Sequence, residues 1–222
     1  MAEVLNVASA TVVELPEGVD AENVAAMVNP AMSSWMALTR RVEGLKEGFS
    51  VGILGVTSAS GKIGVSVARQ LGAARVVGVA RNEGAMKAIK GLDEYVVLKE
   101  KAEETEWEKV GNVDVVLDYL YGKPAQEMLK RLAKGVRVQY VQIGSLAGEE
   151  IGLPASVLKS FNVALRGSGP GAWSGQELAQ EMPGVVKVAA GLERQKLRVE
   201  KLANIEKVWA EATGNERLVF VP

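Results

Sequence analysis

The sequence predicts an α/β protein: a parallel sheet doubly wound, with helices on both faces. Three observations predict it. Apolar strand-like runs alternate with amphipathic helical stretches from about residue 50 onward. Two of these runs, at 51–56 and 113–117, are apolar almost throughout, as strands covered on both faces are. The connections are short, which favours right-handed strand–helix–strand crossovers.

The strand candidates, in order, are VGILGV (51–56), RVVGVA (75–80), YVVL (95–98), VDVVLD (113–118) and VRVQYVQI (136–143), with NVALRG (162–167) as a weaker sixth. Between them lie helical stripes. Gly64, Val67, Ala68 and Leu71 fall at i, i+3, i+4 and i+7, and Gly72 closes the run. Ala125, Met128, Leu129 and Leu132 repeat the spacing ahead of Gly135, and Ile205, Val208, Trp209 and Ala212 repeat it again. Asn204 and Gly214 are placed as the N-cap and C′ residues of that last helix.

The flanks read differently. Residues 6–15 are expected to form a strand ending at the turn Pro16-Glu17-Gly18. Asn29-Pro30 reads as an N-cap followed by proline at the first helical position, opening a helix through Trp35 and Leu38. RLVFVP (217–222) reads as a last strand. These flanking strands need partners outside a plain doubly wound sheet.

Composition narrows the chemistry. The chain has 222 residues, a formal net charge of -1, no cysteine and no histidine. Disulfides, Cys/His zinc sites and Ser-His or Cys-His catalysis are therefore excluded within the chain. Acid–base work falls to Tyr, Lys, Asp, Glu, Ser or water. Lys and Arg are dispersed, so no nucleic-acid partner is expected. No apolar run approaches the roughly 20 residues of a membrane span. MAEVLNVASA lacks the pattern of a signal peptide, so the expected location is cytoplasmic.

The stretch GVTSASGKIG (55–64) approximates two phosphate-binding loops. The nucleoside-triphosphate P-loop needs four residues between Gly and Gly-Lys and a Ser or Thr after the lysine. Here five residues intervene between Gly55 and Gly61-Lys62, and Ile63 replaces the magnesium-binding hydroxyl. The dinucleotide turn fits better: Ala59 to Gly64 reads A-x-G-x-x-G between a buried strand and a helix expected to begin near Gly61. Gly61 would admit a pyrophosphate to the backbone, and Gly64 would let the helix pack close to the sheet. Ala59 would then occupy the first glycine position of the turn. The fold class is accordingly Rossmann-like. The second strand ends in Arg81-Asn82 with no carboxylate at its tip, which favours a 2′-phosphate over a free ribose hydroxyl and hence NADPH over NADH. Further glycine-rich loops follow the later strands at 143–148 and 166–171, where a ligand of such a sheet would lie.

Together, NPAMSSWMAL, GVTSASGKIGVSVARQLGA, NVDVVLDYLYG, VQIGSLAG and LVFVP resemble, in order and spacing, the zinc-independent quinone-oxidoreductase branch of the medium-chain dehydrogenase/reductase superfamily. The resemblance covers essentially the whole chain. It implies that Ser60, Gly61, Lys62 and Ile63 line the pyrophosphate, Arg81 and Asn82 sit by the adenosine 2′-phosphate, and Tyr121, Ile143, Gly144 and Ser145 flank the ribose–nicotinamide end. Lys62 replaces a glycine common in the family. The family normally opens with a GroES-like catalytic domain of roughly a hundred residues. Only a remnant of it is expected here, at 1–28, followed by a dinucleotide-binding domain at 29–195 and a C-terminal return segment at 196–222.

Three functions stay open at this point. The first is an NADPH-dependent reductase of quinones or enones, or its cofactor-binding half, with Tyr119, Tyr121 or Ser145 as candidate proton donors. The second is a dinucleotide-binding or sensor module without turnover. The third is a non-redox enzyme holding an apolar small molecule between Trp173, Tyr119 and Tyr121. The expected partners are a small-molecule substrate and a second copy of the chain joined through the 162–167 sheet edge.

Overall fold

A computed structural model describes residues 4–7, 12–194, 196–211 and 217–222. Two compact units make up the chain: Ser33–Ser174, and Met1–Met32 with Gly175–Pro222.

The first unit is built on six parallel strands: β1 (Ser50–Leu54), β2 (Arg75–Ala80), β3 (Glu94–Val97), β4 (Val115–Asp118), β5 (Arg137–Gln142) and β6 (Asn162–Gly167). Their spatial order, β3-β2-β1-β4-β5-β6, reverses between β1 and β4. This is the Rossmann-like doubly wound sheet that the apolar runs predict, and all six candidates form within two residues of their expected bounds. The register sets Val51 beside Val76 and Val115, and Leu54 beside Val79 and Asp118, so the central strands end together.

The connecting helices are α2 (Ala59–Gln70), α3 (Glu83–Lys87), α4 (Gly122–Leu129) and α5 (Ala155–Ser160). Gly64, Val67 and Ala68 of α2 are buried as their spacing predicts, and Gly72 follows the helix at φ +93°. On the other side, Ala125, Met128 and Leu129 of α4 join Leu54, Val77, Val116 and Tyr140 in one core. Leu132 lies beyond the end of α4 yet still packs on that core.

In the second unit, β7 (Leu197–Lys201) runs parallel to β8 (Arg217–Val221), the last strand anticipated from the sequence. β7 itself has no counterpart among the strand candidates: LRVEK alternates charge with apolar residues and carries no turn signal. Helix α6 (Gly175–Gly191) precedes it, and α7 (Ile205–Glu211) lies between the two strands. A 3-10 turn, Leu202–Asn204, leads directly into α7. Val208 of α7 is buried, but Trp209 is 64% exposed, contrary to the stripe assigned to it. Ala212 and Gly214 lie outside the described residues.

Two expectations about the flanks are corrected. Pro30 does not open a helix: it lies inside α1 (Ala21–Arg40), which contributes to both units. The N-cap is Asp20, whose Oδ1 accepts from the Glu22 and Asn23 amides at 3.1 Å each. Proline's fixed φ suits a helix, so its cost is the lost amide donor and a crowded preceding turn. Burial of Ala31, Met36, Ala37 and Leu38 favours continuing the helix past it. Of the strand expected at 6–15, residues 8–11 lie outside the described residues, and 6–7 and 12–15 form no strand.

Candidate functional site

The carboxyl ends of the strands in the first unit frame a cleft of about 910 Å³. Its floor is the turn after β1, with Gly55, Thr57 and Ser58. The β2 and β3 ends contribute Ala80, Arg81, Leu98, Lys99, Glu100 and Ala102. Across from them stand Leu120, Lys123 and Pro124 after β4, and Leu146 and Ala147 after β5. A crevice at the switch point between β1 and β4 is where open α/β sheets bind ligands. The volume falls within the roughly 300–1,000 Å³ of small-molecule and cofactor sites.

The floor departs from the expected turn. Ala59 does not occupy it, because α2 already begins at Ala59. The turn is made instead by Gly55 at φ +82°, a conformation open to glycine at little cost. Ser58 caps the helix, its Oγ accepting from the Gly61 amide at 3.0 Å. Gly61 is needed by the turn itself, since a Cβ there would stand 2.3 Å from the Gly55 carbonyl oxygen. Gly64 faces Ser34 Oγ and the Tyr119 hydroxyl, at 3.0 and 3.6 Å from its would-be Cβ. α2 has no acidic residue in its first turn, so its amide end is a favourable place for an anion.

The opposite wall is tied to Asp118, fully buried at the end of β4. Its Oδ1 accepts from the Leu120 and Tyr121 amides at 2.8 and 2.9 Å, and its Oδ2 accepts from the Tyr140 hydroxyl at 2.8 Å. Burial pushes the Asp118 carboxyl above its ordinary pKa, against the opposing pull of these donors. Burial and the Asp118 charge raise the Tyr140 hydroxyl well above its ordinary value. The turn that follows holds Tyr121 at φ 54°, the only non-glycine with positive φ among the described residues. The 143–148 loop docks on this turn: the Ile143 amide donates to the Asp118 carbonyl at 2.8 Å, and the Ala147 amide to the Leu120 carbonyl at 2.7 Å. Gly122 permits the docking, since a Cβ there would meet the Ala147 carbonyl oxygen at 2.4 Å.

The ten residues assigned from the resemblance distribute as follows. Arg81 lines the cleft, exposed. Asn82 is the N-cap of α3, its Oδ1 accepting from the Ala85 amide at 2.9 Å. Ser60, Gly61, Lys62 and Ile63 form the first turn of α2 behind the cleft floor; Gly61 and Ile63 are buried and Lys62 is exposed. Tyr121 opens α4, half-buried. Ile143 and Gly144 begin the 143–148 loop, with the Gly144 would-be Cβ 2.9 Å from the Tyr119 carbonyl oxygen. Ser145 Oγ donates to Glu149 at 2.6 Å.

Among these ten, only Arg81 lines the cleft directly. The sequence reading misses Thr57, Ser58, Lys99 and Lys123. Two signals were available: a serine three residues before Gly61, and a lysine between a glycine and a proline at a helix start.

None of Trp173, Tyr119 and Tyr121, the aromatic residues of the third expectation, lines this cleft. Tyr119 is 4% exposed and its hydroxyl is hydrogen-bonded with Ser33 and Ser34. Burial raises its pKa, which keeps the hydroxyl protonated within this serine pair.

No protein-family model matches the chain. A probable NADPH-dependent quinone reductase, tdiC of Emericella nidulans, is 38% identical over 227 residues, covering 93% of this chain and 63% of its own. The chain belongs to the quinone-oxidoreductase-like medium-chain dehydrogenase/reductases. An acryloyl-coenzyme A reductase of Sulfurisphaera tokodaii is 32% identical over 151 residues, covering 68% of this chain and 43% of its own. The quinone oxidoreductase of Thermus thermophilus, solved also as its complex with NADPH, superposes with a TM-score of 0.60 at 26% identity, over 90% of this chain and 64% of its own. The chain thus spans less than two thirds of these curated relatives.

Proposed function

We propose that the chain is an NADPH-dependent reductase of quinones or conjugated carbonyl compounds, or the cofactor-binding half of one. The observation that carries this reading is the cleft at the switch point, with Arg81 at the tip of β2 and no carboxylate beside it on that strand end. A guanidinium suits a 2′-phosphate, because its fork of donors matches phosphate geometry. The tdiC relative is a probable NADPH-dependent reductase and the Thermus enzyme is solved with NADPH, which supports the same choice.

In this reading Arg81 holds the 2′-phosphate, and the first turn of α2, Ser60 to Ile63, carries the pyrophosphate behind the Ser58 cap. Asn82 positions Arg81 by capping α3. Tyr121, Ile143, Gly144 and Ser145 border the nicotinamide end. Bound there, the nicotinamide would supply a hydride to an electron-poor carbon of the substrate. The protein's part is to bind, orient and exclude water. No zinc is required, and 29–195 acts as the nucleotide-binding part, with 196–222 as the C-terminal return segment. The proposal includes a cytoplasmic location and pairing of two copies through the free edge of β6.

A second reading, a dinucleotide-binding module without turnover, is favoured by the commitment of Tyr119 to Ser33 and Ser34 and of Ser145 to Glu149. Titration with NADPH and NADH, followed by NADPH oxidation across a panel of quinones and enones, separates the two. Tight NADPH binding with oxidation supports the reductase, and tight binding without oxidation supports the module. Absence of binding at millimolar dinucleotide overturns both.

A further inference from the structure

We propose that Lys123 is a phosphate ligand of the bound dinucleotide, contacting the diphosphate from the β4 side of the cleft; this rests on the NADPH reading above. Three cations line the cleft, Arg81, Lys99 and Lys123, against one carboxylate, Glu100. Lys99 lies in the field of Glu83 and Glu106. The side chains of Arg81 and Lys123 make no hydrogen bond or ion pair among the described residues.

The fold itself gives no reason for a lysine at this position. Lys123 is the second residue of α4, a helix with no acidic residue in its first turn. A cation there opposes the helix dipole, whose amide end is already positive. Its neighbours have structural duties: Gly122 passes under the Ala147 carbonyl, and Pro124 suits the opening of a helix. Lys123 is exposed between two pinned residues and lines the cleft, so its backbone is fixed while its long side chain is mobile at the wall. A positive side chain added to a positive helix end, beside a second helix start with no acid, makes sense when an anion sits between them.

Position selects which phosphate. β1 lies between β2 and β4, and adjacent strands are about 4.8 Å apart. Arg81 therefore flanks the β1–α2 turn from one side and Lys123 from the other. A dinucleotide crossing the switch point presents its adenosine 2′-phosphate on the first side and its diphosphate over the turn. Arg81 reads the group that distinguishes NADPH from NADH. Lys123 reads the group they share.

The test is titration of nicotinamide fluorescence with NADPH and with NADH for wild type, Lys123→Met, Lys123→Arg and Arg81→Met, with unfolding curves verifying each fold. Lys123→Met is expected to weaken both dinucleotides by the same factor, about tenfold, and Lys123→Arg to restore most of the affinity. Arg81→Met is expected to weaken NADPH alone. Wild-type affinity in Lys123→Met, or a loss confined to NADPH, overturns the proposal while leaving the cofactor reading intact. If wild type binds neither dinucleotide, the cofactor reading fails and the Lys123 assignment falls with it.

Discussion

Replacing Gly61 with alanine would bring a methyl carbon to 2.3 Å from the Gly55 carbonyl oxygen, with the Val56 Cα at 2.8 Å. Both neighbours are backbone, so the β1–α2 turn has to move. We expect a loss of roughly 1–3 kcal/mol in urea unfolding, and weaker dinucleotide binding because the same turn floors the cleft. Unchanged unfolding and binding in Gly61→Ala would count against this account of the turn. At this scale the sequence is informative about which glycines matter and less so about why. Gly61 and Gly64 stand out by their spacing, but the turn glycine is Gly55, not the residue at the Ala59 position. The reason is physical: a helix may begin as soon as a cap is available, and Ser58 supplies one three residues before Gly61. The setting of Tyr119 is hidden for a related cause, since nothing in its local sequence announces the serine hydroxyls of α1 that bond it.

Helix α4 carries its own test. Glu127, 7% exposed, accepts from Lys130 and Arg131 at 2.6 Å each, and these partners hold its carboxyl down at about 2. A lowered folded-state pKa contributes stability above the ordinary value of 4.5 that is lost as pH falls towards 2. With Lys130 and Arg131 each about a third exposed, we expect this acid-sensitive part to amount to about 1–2 kcal/mol. Glu127→Gln should flatten the fall in stability between pH 5 and about 2.5, measured by denaturant unfolding at each pH; an unchanged acid limb would refute it. Asp118 acts in the opposite sense, because burial raises its pKa and its ionisation costs stability as pH rises through the interval above 3.8. At the level of elements, all six strands of the parallel sheet are legible: β1, β2 and β4 because strands buried on both faces leave nearly unbroken apolar runs, and the half-exposed edge strand β6 more weakly. β7 is not, since its exposed alternation of Arg, Val and Glu resembles any surface segment. The start of α1 is displaced for a different reason: Asn29-Pro30 is a strong local signal, overridden here by the long apolar face on either side of it.

For the molecule as a whole, the strand order β3-β2-β1-β4-β5-β6 brings turns distant in sequence to one rim. Ligand binding to that rim should be felt as global stability. With NADPH at a hundred times its dissociation constant, linkage contributes about 2.7 kcal/mol, a rise of roughly 5–10 °C in the calorimetric midpoint for a chain of this size. The rise should shrink as salt is added, since phosphate–cation contacts are screened. A midpoint indifferent to NADPH would contradict the proposed site. The rim's location is readable from the strand ends alone, whereas its composition is not. Lys99, Lys123 and Leu146 come together only once the chain is wound, and no spacing in the sequence links them.

Beyond the buried Asp118 carboxylate, the wall between Asp118 and Gly148 is fastened by main-chain contacts: amide to carbonyl, and glycine beneath carbonyl. Its contour therefore belongs to the peptide skeleton, and side chains such as Leu146 and Lys123 are attachments mounted on it. Such a site can be retuned cheaply. Exchanging the attachments should alter which anion or ring is welcomed while the frame keeps its shape, which makes these positions the natural ones to vary when directing the cleft towards a different ligand.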